Sequence, residues 1–259
     1  MGYCVVTGAT GGIGSHLCEE FARHGLDLVL VARNEEALDA LAARLRAEHG
    51  IACEALACDL TGEGAARDLH QALTDADIVC DILVNNAGFG DQTEFLDADW
   101  ERQENMVRLN VVALMHLTYL FGADMRARGH GKILNVASVA AFVPGPHMAT
   151  YFATKAFVLS FSEAVREELR GTGVTVTVLC PGTTDTGFWG AANMDARHVF
   201  AFMGAQSPEA VARLGYEAVM AGRALALHSL PTKLADLGAR LMPRALVRRV
   251  TGSLLARRG

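Results

Sequence analysis

The chain predicts an α/β fold, a doubly wound parallel sheet of about seven strands flanked by helices. Three observations predict it. Short β-rich runs alternate with longer amphipathic ones along the 259 residues. Most of the short runs are near-continuously apolar, as parallel strands covered on both faces are. A glycine-rich octapeptide, TGATGGIG (Thr7–Gly14), joins the first strand to the first helix, the place where such sheets hold phosphate groups.

The strands are expected at YCVVT, DLVLVA, IACEALAC, DILVNNA, GKILNVAS, VTVTVLC and, with a weaker pattern, ALALHS. Helices are expected at 12–24, 34–49, 63–76, 99–127, 151–170 and 208–221. Asn34 and Thr61 suit N-caps, because a short polar side chain can accept from a first-turn N–H. Gly25, Gly50 and Gly171 stand where helix stops belong. No Pro/Ser-rich linker and no internal repeat divides the chain. A single domain, 1–231, followed by a C-terminal extension, 232–259, is therefore expected.

Apolar residues make up 51% of the chain and the net charge is −6. That balance provides a substantial core and argues against nucleic acid as a partner. The charge is uneven: Lys233 to Gly259 holds seven basic residues and one acid, Asp236, a local +6 against −12 for residues 1–232. Six cysteines, at 4, 18, 53, 58, 80 and 180, contain no C-x-x-C pair. Neither a zinc site nor a disulfide framework is expected, and a reducing cytoplasm is. Met1 leads straight into a strand without a signal-peptide pattern. No uncharged apolar run reaches the ~18 residues needed to cross a bilayer.

Glycines after a first strand let the backbone approach a pyrophosphate, and the helix N-terminus beyond them supplies free N–H groups and the positive end of its dipole. Gly8, Gly12 and Gly14 read as G-x-x-x-G-x-G, and Gly8, Gly11 and Gly14 as G-x-x-G-x-x-G; within the eight residues both registers stand. Thr10, Gly11, Gly12 and Ile13 are the loop's candidate cofactor contacts. The tip of the second strand, DLVLVARNEE, places Ala32 where an NAD site carries a carboxylate, and Arg33 follows. A guanidinium there suits the 2′-phosphate of NADP, so NADP(H) is favoured over NAD(H). Glu35 and Glu36 would repel that phosphate if they pointed inward, and as early helix residues they would instead favour the dipole. Asp59-Leu60 ends the third strand, and NNAG, with Asn86, Ala87 and Gly88, ends the fourth. Both lie at the carboxyl edge, where ligands bind in such sheets. Asp59 stays open between a cofactor contact and a helix N-cap or turn residue.

The stretch NVASVAAFVPGPHMATYFATKAF carries Ser138, then Tyr151 and Lys155. Residues four apart on a helix share a face. The chain has only three lysines and four tyrosines, so there are few chances for such a pair to arise by accident. The chemistry is coherent. Reducing a carbonyl by hydride calls for a proton on the developing alkoxide. A tyrosine, with a pKa of ~10, can give it, and a neighbouring ammonium favours the phenolate. That brings Tyr151 towards useful acid/base strength at neutral pH, while Ser138 can hydrogen-bond the carbonyl oxygen.

In order and spacing, TGATGGIG, the 32–33 strand tip, Asp59, NNAG, Asn110 in MVRLNVVAL, Ser138, YFATK and PGTTDT at 181–186 resemble a short-chain dehydrogenase/reductase of the compact single-domain branch. The resemblance covers about residues 3–225. It implies a Rossmann fold, with Tyr151 as general acid/base and Ser138 as the substrate-polarising partner. It implies that Lys155 holds the nicotinamide ribose and lowers the Tyr151 pKa, and that Asn110 supports a proton-relay water near Lys155. Pro181, Gly182, Thr184 and Thr186 would flank the nicotinamide and pyrophosphate. Many NADP-dependent relatives also carry a basic residue within the glycine loop; here Thr10 or Gly11 stands there, and the NADP reading rests on Arg33. The resemblance favours Gly8, Gly12 and Gly14 as the framework glycines. It also implies a homodimer or homotetramer, often built from the helices holding Asn110 and Tyr151. The apolar run VVALMHLTYLF suits such an interface and suits burial against the sheet equally.

Substrate contacts are expected from loops at Phe89-Gly90, Ala140 to His147, and 187–206, the last carrying Phe188, Trp189, Phe200, Phe202 and Met203. Such a lining suits an apolar carbonyl or alcohol, a ketone, aldehyde, steroid-like or acyl-chain compound; the same residues also suit packing of the loop on its own domain. His147 reads as a surface histidine. In the tail, Leu246, Val250 and Leu254 share a helical face, with Arg244 and Arg248 elsewhere on the wheel. Such a helix can make peripheral contact with an anionic membrane, or dock on its own acidic domain or a second subunit. The function expected is an oxidoreductase. A dinucleotide sensor or scaffold on the same fold is the alternative, and a sugar-nucleotide epimerase would need a further substrate domain.

Overall fold

In the computed structural model, residues 2–184, 192, 206–227 and 242–256 are described. Seven strands form one sheet: β1 (Tyr3–Thr7), β2 (Leu28–Ala32), β3 (Cys53–Ala57), β4 (Cys80–Asn85), β5 (Gly131–Val136), β6 (Val174–Cys180) and β7 (Leu225–Leu227). Their order is β3-β2-β1-β4-β5-β6-β7, and every pairing is parallel. Chain direction across the sheet reverses between β1 and β4, so a crevice opens at their carboxyl ends. The doubly wound expectation holds, including the weakly patterned seventh strand.

The helices are α1 (Gly12–Arg23), α2 (Glu35–His49), α3 (Ala65–Asp75), α4 (Trp100–Val107), α5 (Leu114–Arg128), α6 (Ala149–Glu168), α7 (Pro208–Met220) and α8 (Arg244–Leu255). Period two sorts the strand side chains between the faces. Cys4, Val6, Leu28, Leu30, Ile82 and Val84 meet Leu17 and Phe21 of α1, Leu38 and Leu45 of α2, and Val211 and Val219 of α7. Val5, Val29, Val31, Leu83 and Ile133 face Leu69 and Leu73 of α3 and Leu117, Phe121 and Met125 of α5. The near-continuous apolar runs therefore reflect two cores, one on each side of the sheet.

Local chemistry sets the helix ends. Asn34 caps α2, its Oδ1 accepting from the Ala37 N–H at 3.0 Å, and Gly50 ends that helix in the left-handed region at φ 67°. Thr61 does not cap α3. Its N–H and hydroxyl both donate to Asp59 Oδ1, at 3.0 and 2.8 Å, and the helix starts only after Gly64, which is left-handed at φ 80°. The helix expected at 99–127 contains a π-helical stretch, Arg108–Ala113, between α4 and α5. From Trp100 to Arg128 the helical run is long and apolar enough to cross a bilayer by length and composition. It instead lays Leu114, Leu117, Thr118, Phe121 and Met125 into the protein interior.

Candidate active site

The glycine loop lies at the crevice. Gly8 has φ +65°, and a Cβ on it would sit 2.9 Å from the Ala87 Cα. A Cβ on Gly14 would sit 2.0 Å from the Gly8 carbonyl oxygen. Both positions therefore require glycine because β1, α1 and the NNAG turn meet there. Gly11 is the N-cap of α1 and no side chain caps the helix, which leaves the first-turn N–H groups of Gly12, Ile13 and Gly14 for an anion. Thr10 and Gly11 are exposed beside them.

Thr7, not singled out from the sequence, and Asn86 hold this loop and the turn together. Thr7, 1% exposed, donates through Oγ1 to the Val84 carbonyl at 3.2 Å and accepts from the Asn86 and Ala87 N–H groups at 3.0 and 3.1 Å. The Asn86 side-chain amide donates to the Thr7 and Gly8 carbonyls at 3.0 and 3.1 Å. Its amide nitrogen thus shapes the loop. Past Pro181, Gln206 accepts from the Gly182 N–H at 3.2 Å through Oε1, and its own N–H donates to the Thr183 carbonyl at 2.8 Å. Thr184 pairs with Gln206 as an isolated parallel bridge. Thr186, Phe188, Trp189, Phe200, Phe202 and Met203 lie outside the described residues.

Arg33 follows β2 and is exposed. The backbone N–H of Thr61 chiefly holds the Asp59 carboxyl below its ordinary range, and the Arg33 charge contributes. Arg33 and Asp59 therefore stand near one another at adjacent strand ends, with Leu60 buried behind them. Asp59 is a turn residue and not a helix N-cap. Glu35 and Glu36 form the exposed first turn of α2, where they favour its dipole.

Ser138 follows β5 and caps a short 3₁₀ turn, accepting from the Ala140 N–H at 3.1 Å. Its hydroxyl is also hydrogen-bonded to Tyr151. Tyr151 stands on the first turns of α6, with Lys155 one turn on. They are 9% and 5% exposed. Lys155 Nζ lies 5.9 Å from the Tyr151 ring centre and donates to the Val136 carbonyl at 2.9 Å. Burial pushes the Tyr151 phenol up to about 12, the Ser138 hydrogen bond opposing it. Burial also pulls the Lys155 ammonium down to about 8. With protein groups alone, the expected lowering of the tyrosine is therefore reversed. Desolvation of both groups outweighs an ammonium at this separation.

Asn110 lies in the π-helical stretch and is 1% exposed. Its Nδ2 donates to the Phe89 carbonyl at 2.9 Å and to Thr154 Oγ1 at 3.1 Å, and its Oδ1 accepts from the Phe89 N–H at 3.1 Å. A Cβ on Gly88 would sit 2.9 Å from Asn110 Oδ1 and 3.5 Å from Lys155 Nζ. Glycine at that turn thus lets the chain after β4 approach both the π-helical stretch and α6. His147 is half-buried, left-handed at φ 65°, and 3.6 Å from Glu94. Around Tyr151 the surface is apolar: Met106, Ala140, Met148, Ala192 and Leu255 cluster with it, and Phe89 and Phe152 pack against them.

A parallel sheet with an open helix N-terminus at its switch point, and Ser138 with the buried Tyr151 and Lys155 beside it, define a dinucleotide-linked oxidoreductase. Comparison with known proteins agrees. Residues 3–197 match the family model described as short chain dehydrogenase, and the chain belongs to the short-chain dehydrogenase/reductase family. A 7beta-hydroxysteroid dehydrogenase of Collinsella aerofaciens is 33% identical over 183 residues, covering 70% of this chain and 68% of that protein. A very-long-chain 3-oxoacyl-CoA reductase of Laccaria bicolor is 37% identical over 178 residues, 67% of this chain and 52% of that protein. Among solved structures, a short-chain dehydrogenase from Sphingobium yanoikuyae in complex with NADPH is 36% identical, with a TM-score of 0.83 over 93% of both chains. One from Burkholderia phymatum in complex with NAD is 27% identical, with a TM-score of 0.82 over 93% of this chain and 92% of that one.

Proposed function

We propose that the chain is an NADP(H)-dependent oxidoreductase that interconverts a carbonyl and an alcohol on a small-to-medium apolar substrate, with Tyr151 as general acid/base. The observation that carries this reading is the Ser138–Tyr151 hydrogen bond, with Tyr151 buried in an apolar surround and Lys155 one turn away. Two relatives are a hydroxysteroid dehydrogenase and a 3-oxoacyl-CoA reductase, and a ketone, aldehyde, steroid-like or acyl-chain compound suits the Met106, Met148 and Leu255 lining here. A sensor or scaffold has no use for a buried proton donor, which favours an enzyme.

The glycine loop and the open N-terminus of α1 fit a dinucleotide pyrophosphate. Arg33 would hold a 2′-phosphate, Asn86 to Gly88 and Pro181 to Thr184 would line the path, and Lys155 would hold the ribose. When bound, the nicotinamide gives a hydride to the carbonyl carbon or takes one from the carbinol. Tyr151 donates its phenolic proton to the developing alkoxide, and Ser138 hydrogen-bonds the same oxygen. Solved relatives hold NADPH or NAD, so the preference for NADP(H) rests on Arg33.

The test is oxidation of NADPH and NADH across a carbonyl panel, with Tyr151→Phe as control. NADPH is expected to be preferred and turnover to be almost lost in the variant; turnover that survives removes Tyr151 from its role. Two surfaces support further partners. Val112, Met115 and Tyr119 on one helical run and Phe157 on α6 are exposed, 47, 40, 72 and 36%, and suit a second copy of the chain. Leu246 and Val250 on α8, 48 and 43% exposed, and Met242 just before it, 41% exposed, lie among Arg244, Arg248 and Arg249 and suit an anionic bilayer. Six free cysteines, five of them buried, suit a reducing cytoplasm.

A further inference from the structure

The tail helix reaches the catalytic tyrosine. Thr251 Oγ1 donates to the Pro144 carbonyl at 2.8 Å, and Gly252 backs onto Pro146, where a Cβ would sit 3.3 Å from the ring. Gln92 Nε2 donates to the Leu255 carbonyl at 2.7 Å. The last turn of α8 is thus fastened to both loops that leave the carboxyl edge beside the site, 89–92 after β4 and 143–148 before α6. The first of these is itself braced: Asp91, 5% exposed, accepts from Arg102 Nε at 2.9 Å and Gln103 Nε2 at 3.1 Å. The Leu255 side chain, 7% exposed, enters the apolar cluster that contains Tyr151, Met106 and Met148.

We propose that Leu255 is a specificity-determining residue: α8 is the outer wall of the substrate cleft, fastened by Gln92 and Thr251, and Leu255 sets the size of the apolar group seated beside Tyr151. The inference rests on the carbonyl/alcohol reading above and deepens it. The inner face of α8, Val247, Thr251 and Leu255, is used on the domain, while its arginines stay outside. A helix docked only for stability would alter melting and not discriminate between ketones. A wall residue shifts the ratio of kcat/KM between a bulky and a small ketone, because a few methylenes of pocket volume change relative transition-state binding by about tenfold or more.

The experiment uses the full chain with NADPH and compares decalone with butanone. Leu255→Ala is expected to raise the decalone/butanone ratio of kcat/KM about tenfold, and Leu255→Trp to lower it by a similar factor. Gln92→Leu, which frees the end of α8, is expected to move KM for decalone more than kcat. Melting temperatures show that each variant is folded, and Leu255→Val and Leu255→Met supply milder steps of the same series. Ratios unmoved across this series in folded protein overturn the wall while leaving the activity in place. A wild-type chain that reduces neither ketone overturns both readings.

Discussion

Asn110 and Phe89 grip one another at two points. The Asn110 amide donates to the Phe89 carbonyl at 2.9 Å, and its oxygen accepts from the Phe89 N–H at 3.1 Å. The same amide donates to Thr154, whose hydroxyl in turn donates to the Tyr151 carbonyl at 2.7 Å. One side chain thereby fixes the turn after β4 against the helix that carries Tyr151 and Lys155. Asn110→Ala leaves the part-buried Phe89 carbonyl and N–H without their partner, each costing ~1–3 kcal/mol. It is expected to lower kcat at least tenfold and to lower the melting temperature. Gly88→Ala should phenocopy it, because its Cβ would press on Asn110 Oδ1 at 2.9 Å. Steady-state kinetics and thermal melts check both, and wild-type kcat in Gly88→Ala would falsify the argument from close approach.

Lys155 gives the pH dependence its sign. Its ammonium, lowered to about 8 by burial, is the form proposed to hold the ribose, whereas Tyr151, raised to about 12, stays protonated throughout the accessible range. For reduction, kcat/KM for NADPH is therefore expected to be level at lower pH and to fall as pH rises through about 8, since this ratio reports groups of the free enzyme. Lys155→Arg keeps its charge and should abolish that descending limb, at a lower plateau. Stability moves the other way. Between about 8 and the ordinary lysine value of 10.5 the unfolded chain binds more protons at this site, so stability rises with pH over that window. Lys155→Met should lack that rise in urea melts.

Arg33 is exposed at the tip of β2, with Asp59 close by. If its guanidinium pairs with a 2′-phosphate, Arg33→Ala removes a charge-assisted contact worth ~1.5–3 kcal/mol. The Kd for NADPH is then expected to rise about tenfold or more, with little change for NADH. Titration of intrinsic fluorescence with each dinucleotide reads this directly. Equal weakening for both would move the choice of cofactor away from this residue.

Beneath the site, Asn85 Nδ2 donates to Asn135 Oδ1 at 2.9 Å and to Thr118 Oγ1 at 3.1 Å, and Asn135 Nδ2 donates to Ser162 at 2.8 Å. This buried chain ties β4 and β5 to α6, on the same helical face as Tyr151 and Lys155. Ser162→Ala strands the Asn135 amide at 0% exposure, and is expected to cost ~1–3 kcal/mol in urea unfolding. Ser160→Ala, at an exposed position of the same helix, should cost within about 0.5 kcal/mol. Equal losses would deny the network its role.

The sheet was legible because a strand buried on both faces must be apolar along most of its length, and β1, β2, β4 and β6 are. The Tyr151 and Lys155 pairing was legible because helical periodicity alone brings residues four apart together. Other features were not. Hydrophobic periodicity runs unbroken through MVRLNVVAL, so nothing marked the π-helical stretch that turns Asn110 towards Phe89. Thr61 looked like a cap, but Asp59 takes both its donors and delays α3 to Ala65. The raised Tyr151 pKa follows from burial, which charge type and spacing do not encode. Thr7, Thr154, Gln92 and Gln206 act through partners distant in sequence, and only a cluster of polar residues near glycine turns hinted at them. The docking of α8 was one of three alternatives that its amphipathic pattern allowed.

The outer face of α8 supplies the last prediction. Val247 and Leu255 are buried on the domain, while Met242, Leu246 and Val250 stay exposed among three arginines. A basic helix with an apolar stripe binds anionic bilayers by burying that stripe at the headgroup boundary and by attraction between arginine and lipid phosphate. Full-length protein is expected to sediment with vesicles of phosphatidylglycerol and phosphatidylcholine, and much less with phosphatidylcholine alone. High salt should release it, because the attraction between exposed charges is screened. Each basic residue near the surface contributes about 1 kcal/mol, so Arg248→Glu with Arg249→Glu should reduce binding more than tenfold. Leu246→Asp should reduce it through the apolar stripe while sparing the inner face. Equal pelleting of wild type and both variants, or binding indifferent to lipid charge, would leave the stripe without a membrane role and shift attention to a second subunit as its cover.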